Sequence, residues 1–268
     1  MTTHALHHDS DQVSADDLII RHVDIDAPMD WLKAGWRTML AAPAASLLYG
    51  VLFALACIGV LLLARAFPWF TLSFLTGLLL IGPFLASGLY VAARQHGQGE
   101  RVDIRESVAL LWDRRTNLSL FALFLGLVMA AWVRLAALLF AIQMDLFSPT
   151  SNSLTGMLSG HFDPVVTGYF VLIGAILAAA VFITSAVAIP LIVDRDTGPI
   201  TAIQASTRAV AANWKPMLIW AGLIVALTGV GVLSWFVGMV VLFPLLGYAT
   251  WHSYRALVGA TAPFGSMR

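Results

Sequence analysis

Apolar and polar positions alternate along this chain in long blocks. Six apolar segments, at about 46–64, 69–92, 118–140, 165–193, 217–233 and 235–250, are separated by short polar stretches. At 1.5 Å per residue the first four reach across a hydrocarbon layer of about 30 Å. The last two are a closer matter. As one helix, residues 217–250 would run about 51 Å, too long for one crossing and tight for two. Gly229, Gly231 and Ser234 offer a place to turn, so the pattern predicts a sixth helix and a third hairpin.

Each pair of apolar segments follows an amphipathic stretch, and the whole reads as one unit used three times, over Trp31–Arg94, Asp103–Asp196 and Pro199–Arg255. Pro83, Pro190 and Pro244 fall at matching places near the end of each unit and are candidate helix kinks. Trp31, Leu32, Gly35, Trp36, Met39 and Leu40 keep a helical spacing in the first amphipathic stretch. In the second, Ile104, Val108, Leu111 and Trp112 share a face, and Asp103 with Glu106 has the spacing of a capping pair. In the third, Thr197 reads as N-cap and Pro199 as the first helical residue, ahead of Ile200, Ile203, Val210 and Trp214. Such helices either lie in the membrane interface or form a collar under the bundle.

Composition settles the solvent. Apolar residues make up 59% of the 268 and charged residues 11%, far below the roughly 25% of soluble domains. Most of the surface must therefore face lipid. The net charge is zero, which argues against nucleic acid. Charge placement gives orientation. Arg21, Lys33, Arg37, Arg94, Arg101, Arg105, Arg114, Arg115, Arg195, Arg208, Lys215, Arg255 and Arg268 fall on one side, leaving only Arg65 and Arg134 toward the other. Both termini are expected in the cytoplasm. Residues 1–27 read as a polar leader, disordered to about Asp24, residues 28–258 as a six-helix membrane domain, and residues 259–268 as a tail. The fold class is thus all-α and polytopic: six transmembrane helices as three hairpins, each preceded by a short amphipathic helix on the cytoplasmic face.

The strings DAPMDWLKAGWRTMLAAPAASLLYG, LLLIGPFLASGLY, RLAALLFA, IPLIVDRD and FPLLGYATWHSYRALV resemble the bacterial membrane family catalogued as domain of unknown function 2189. The similarity runs from about Ile20 to Val258. It implies a protein of the bacterial inner membrane with no established activity and no catalytic residues to carry over. Some members of that family bear the label of a cytochrome c oxidase subunit.

The residues test that label. A haem–copper catalytic subunit needs several histidines inside its spans. Here His4, His7, His8, His22, His96, His161 and His252 all lie outside the middle of any apolar segment, which excludes that role and leaves an accessory one. Cys57 stands alone, so no disulfide or thiolate metal site forms within the chain. His7 and His8 beside Asp9 and Asp11 are a weak metal motif, and no cofactor is expected. Arg134 is the one charge well inside a span, a polar-site candidate with Asp145 and Asp163 as counter-charges. A snorkelling guanidinium is the plainer explanation. Trp251, His252, Tyr254 and Arg255 form a second candidate cluster at the cytoplasmic end of the last helix, where an aromatic–basic terminus ordinarily anchors at the headgroups. No catalytic constellation appears. Expected partners are the lipid bilayer and, through close-packing small residues, other membrane proteins or further copies of the chain. The expected function is a non-catalytic accessory, assembly or scaffold component, and the alternative is a small-solute transporter or channel with a cavity near Arg134.

Overall fold

The computed structural model describes residues 18–66, 71–146 and 164–259. Among them ten helices follow in order: α1 (Ala27–Ala41), α2 (Pro43–Ala66), α3 (Thr71–Gly97), α4 (Ile104–Asp113), α5 (Arg115–Leu146), α6 (Pro164–Ser185), α7 (Ala188–Arg195), α8 (Pro199–Ala212), α9 (Trp214–Leu233) and α10 (Met239–Leu257). The short helices α1, α4 and α8 each stop one residue before a long apolar helix begins, at Ala42, Arg114 and Asn213. The breaking residue still bonds back four positions in every case, to Thr38, Leu110 and Ala209, so the chain turns without abandoning its hydrogen bonds. The break between α6 and α7 has another cause. The expected single helix over 165–193 is interrupted at Ala186 and Val187. Pro190 has no N–H for the Ala186 carbonyl and its ring crowds that oxygen. Pro83 and Pro244 instead lie within continuous helices, α3 and α10.

Among the described residues four stretches are long and apolar enough to cross a membrane: Pro43–Leu63, Arg115–Leu135, Val171–Arg195 and Trp214–Leu233. Their outward faces show what surrounds them. Leu120, Leu123 and Leu127 on α5, and Leu47, Leu55 and Leu62 on α2, are exposed stripes at helical spacing. Apolar ridges of that length are stable in hydrocarbon and not in water. The dense core lies elsewhere, at one end of the bundle. There Leu89 and Val91 of α3, Leu191 and Ile192 of α7, and Tyr248 and Tyr254 of α10 are almost fully buried together.

The described ends of the chain meet at that same end. Ile20 and Val258 form an isolated antiparallel bridge, flanked by Arg21 N–H to the Leu257 carbonyl and Gly259 N–H to the Ile19 carbonyl, both 2.8 Å. Leu18 is buried. Residues 18–23, expected within a disordered leader, are therefore a strap pinned across the terminal end, because Leu18 and Ile20 have apolar surface to bury there.

Local readings also change. Gly198, not Thr197, caps α8, with Pro199 in the first turn as expected; the Thr197 hydroxyl is buried without a partner. The packed face of α8 joins Val210 of the expected stripe to small residues, Ala202, Ala205, Ser206 and Ala209, with Ile203 half-buried beside them, while Ile200 and, at the start of α9, Trp214 point outward. Small side chains let helices approach closely, and that outweighs the larger apolar ones here. On α4, Ile104, Val108 and Trp112 likewise face away from the bundle. Asp103 does cap α4, through the Arg105 N–H at 2.8 Å. Glu106 does not complete the box: Gln95 donates to Glu106 at 3.1 Å and accepts the Asp103 N–H at 3.3 Å. Of the three amphipathic helices α1 and α8 pack as a collar, α1 with Trp31, Gly35 and Met39 turned inward, while α4 buries only Ser107.

Candidate functional site

The polar groups of the chain gather at the terminal end, and three helices position the first cluster. The last turns of α3 and α10 meet the end of α7, bringing Arg94, Tyr254 and Arg255 to Asp194. The Asp194 side chain is 12% exposed. The Tyr254 hydroxyl donates to Oδ2 at 2.7 Å. Arg94 Nε stands 3.6 Å from Oδ1, and Arg255 Nη1 and Arg195 Nε stand 3.7 and 3.9 Å from Oδ2. Arg195 also donates through Nη2 to the Gly259 carbonyl at 2.6 Å. Removing a carboxylate from water is costly unless partners such as these offset the lost solvation. Burial, and then Asp194 itself, push the Tyr254 hydroxyl well above its ordinary pKa, so Tyr254 remains a donor at any physiological pH.

A second polar set ties α1 to α10. Thr38 donates to the Ala34 carbonyl at 3.1 Å, and its hydroxyl lies 2.9 Å from His252 Nε2. With the Thr38 proton directed to Ala34, the hydroxyl oxygen is free to accept from His252 Nε2, and His252→Gln would keep such a donor. Burial, and then nearby His96, lower the His252 pKa. Trp251 is 4% exposed, stacked on Tyr90 at 6.4 Å and tilted against Tyr254 at 5.4 Å. A ring so enclosed is core and does not reach the headgroups. The quartet Trp251, His252, Tyr254 and Arg255 thus divides. The first three bond inward, while Arg255 is largely exposed.

The third set is a clamp. Asn213, at the break between α8 and α9, accepts the Val23 N–H at 2.9 Å and donates to the Arg21 carbonyl at 3.0 Å. Its buried amide pairs with the strap as a neighbouring strand would. Nothing in the sequence singles Asn213 out beyond its place before a tryptophan, since its partners lie about 190 residues away.

The arrangement offers little chemistry. Thr38 and His252 form a hydroxyl–imidazole pair, but Thr38 is buried and no substrate reaches it. Among the described residues no three His, Cys, Asp or Glu side chains are grouped to hold a metal; His4, His7 and His8 lie outside them. A cavity of about 390 Å³ between α3 and α4 is lined by Arg94, Gln95, Gln98, Glu100, Glu106 and Asp113, among others. It mixes charges without converging on one atom. Arg134 is exposed on the flank of α5 with no ion pair or hydrogen bond among the described residues. Asp163 and the side chain of Asp145 fall outside the described residues, and so does the expected pairing.

Exposed tryptophans ring the terminal end. Trp112 carries the Arg115 guanidinium 5.1 Å above its ring, Trp214 carries the Lys215 ammonium at 5.5 Å, and Trp36 is exposed next to Arg37. Aromatic rings paired with cations suit the membrane–water boundary. No curated protein and no solved structure matches the chain. Residues 70–194, just under half of it, match the family model described as predicted integral membrane protein (DUF2189), the family that the sequence resembles.

Proposed function

We propose that this is a non-catalytic, multi-pass protein of the bacterial inner membrane, an accessory, assembly or scaffold component that works through its outward helix faces. The observation that carries this reading is where the polar groups go. Asp194, His252 and Asn213 spend their bonds on other parts of the same chain, while the long helices present leucine stripes outward. What remains to offer a partner is apolar helix surface. Both termini are placed in the cytoplasm, on the side of the tryptophan–cation pairs and thirteen of the fifteen basic residues. The three single-residue breaks at Ala42, Arg114 and Asn213 support three units of like direction, each a short helix followed by an apolar pair. Parallel units fit a scaffold better than the inverted halves common in transporters.

Purification in mild detergent tests this. The expected result is a stoichiometric membrane-protein partner that Arg134→Ala retains and that substitution of the α5 stripe (Leu123→Trp, Leu127→Trp) releases. A lone protein stabilised by a small solute, with the stabilisation abolished by Arg134→Ala, would sink the scaffold reading in favour of transport. The exposed guanidinium of Arg134, unbonded among the described residues, is the feature that favours this second reading.

A further inference from the structure

The turn between α9 and α10 has the chemistry of a segment without access to water. Residues 234–238 carry no charge, and Leu233, Trp235 and Val237 are 83, 69 and 66% exposed. The backbone closes on itself. The N–H groups of Ser234, Trp235, Phe236, Val237 and Met239 bond the carbonyls of Val230, Val232, Gly231, Ser234 and Phe236 at 3.0–3.2 Å. Gly238 N–H goes to Ser234 Oγ at 2.9 Å, and that hydroxyl donates to the Gly231 carbonyl at 2.8 Å. To achieve this the turn accepts left-handed backbone at Trp235 (φ 56°) and Phe236 (φ 65°). A loop in water can leave donors to solvent, and one in hydrocarbon cannot.

Depth follows from the neighbours. Gly35 of α1 packs on the backbone of Ala249, and next to it Lys33 and Asp30 form an exposed ion pair at 3.1 Å. Groups that charged and that exposed mark the headgroup level. From Ala249 back to Met239, α10 rises only about 15 Å, half of a hydrocarbon core of about 30 Å. The contact with α2 agrees. The Val240 carbonyl meets Gly50 and Phe243 stacks on Phe53 at 4.0 Å, yet α2 continues through Ala66, about 24 Å further.

We propose that α9 and α10 form a re-entrant hairpin. It enters from the face holding both ends of the chain, with Trp220 of α9 beside Trp31 of α1 at 5.8 Å and about 20 Å of α9 beyond that level, turns inside the hydrocarbon short of the far headgroups, and returns. Acyl chains of the opposite leaflet then cover Leu233, Trp235, Val237 and the flank of α2 beyond Gly50, where Leu55 and Leu62 are exposed. This rests on the membrane reading above and on neither functional role.

Thiol accessibility in the full-length, membrane-embedded protein tests it. In a Cys57→Ala background, single cysteines replace Val237, Arg65 at the far end of α2, and Gln98 in the exposed connection after α3. A membrane-impermeant maleimide is added to sealed vesicles of each orientation and again after solubilisation in SDS. Gln98→Cys should react from the terminal side only and Arg65→Cys from the opposite side only. Val237→Cys should react from neither, at least tenfold slower than both, and fully in SDS. Reaction of Val237→Cys from the far side at the Arg65→Cys rate would overturn the re-entrant hairpin and leave the membrane reading intact. Reaction of Arg65→Cys and Gln98→Cys from one side would defeat the membrane reading itself. A nitroxide on Val237→Cys, or on Leu233→Cys should the first fail to accumulate, separates lipid from protein burial. Strong relaxation by oxygen with little by a nickel chelate supports hydrocarbon contact, and poor access to both overturns it.

Discussion

His252 is held as a neutral ring by what surrounds it, and that gives the protein a pH dependence with a definite sign. Its Nε2 lies 2.9 Å from the Thr38 hydroxyl, and burial and then His96 lower its pKa below the ordinary value of about 6.5. Above that value neither the folded nor the unfolded chain carries a proton there. As pH falls through it, the unfolded chain takes one up and the folded chain does not, so stability is lost until the lowered folded pKa is reached. The thermal midpoint in detergent should therefore drop between pH 7.5 and 5. In His252→Gln, which can still donate to Thr38 but does not titrate, the drop should be smaller; an equal drop would assign the effect to other groups. The quartet around His252 also shows what a sequence can reveal at this scale. Trp251–Arg255 stood out as aromatic and basic, and all four sit at the terminal end. Which of them face inward depended on Thr38, Tyr90 and Asp194, which lie 60 to 214 positions away or on another helix, and no local pattern encodes that.

At the level of elements, apolar length was legible and packing face was not. The apolar segments are helical over most of their described residues, with 165–193 divided between α6 and α7 and the sixth starting only at Met239, because in lipid the backbone must bond within itself. The expected face of α8 split, with Val210 and Ile203 packed inward and Ile200 and Trp214 outward, and on α4 only Leu111 of the expected face meets the core, since hydrophobicity alone does not say whether a ridge meets protein or lipid. Proline shows the same division. Pro244 was visible as a kink candidate, but its consequence is tertiary. It removes the N–H that the Val240 carbonyl would otherwise bond, and that carbonyl instead faces Gly50 of α2. A methyl on Gly50 would collide with backbone, which cannot rotate aside. Gly50→Ala should cost about 1–3 kcal/mol, read as a lowered thermal midpoint. Gly59→Ala, nine residues along the same helix with open space around it, should be neutral or slightly stabilising, since alanine is the better helix former. Equal behaviour of the two variants would mean that α2 and α10 do not touch at Gly50.

For the whole molecule, the consequential contact joins its two described ends. Sequence could place them on one side through the basic residues, yet it gave no reason for them to touch, because a single bridge between positions 238 apart leaves no periodic trace. In the structure Arg21 N–H to Leu257 and Gly259 N–H to Ile19 flank Ile20 and Val258, which makes Ile20 and Val258 a non-hydrogen-bonded antiparallel pair, the kind whose side chains lie closest. Such a pair fits disulfide geometry. In a Cys57→Ala background, Ile20→Cys with Val258→Cys should therefore oxidise to an intramolecular disulfide, seen as a faster-migrating band that reductant reverses. The bond closes nearly the whole chain into a loop and should stabilise the folded state by on the order of 2–4 kcal/mol, so the thermal midpoint should rise on oxidation. Ends on opposite sides of a membrane could not make this bond at all. Ends on the same side but unclamped would make it slowly and in competition with intermolecular dimers. Rapid, monomeric cross-linking is thus the outcome that the strap requires, and its absence under oxidant would separate the terminal clamp from the bundle it closes.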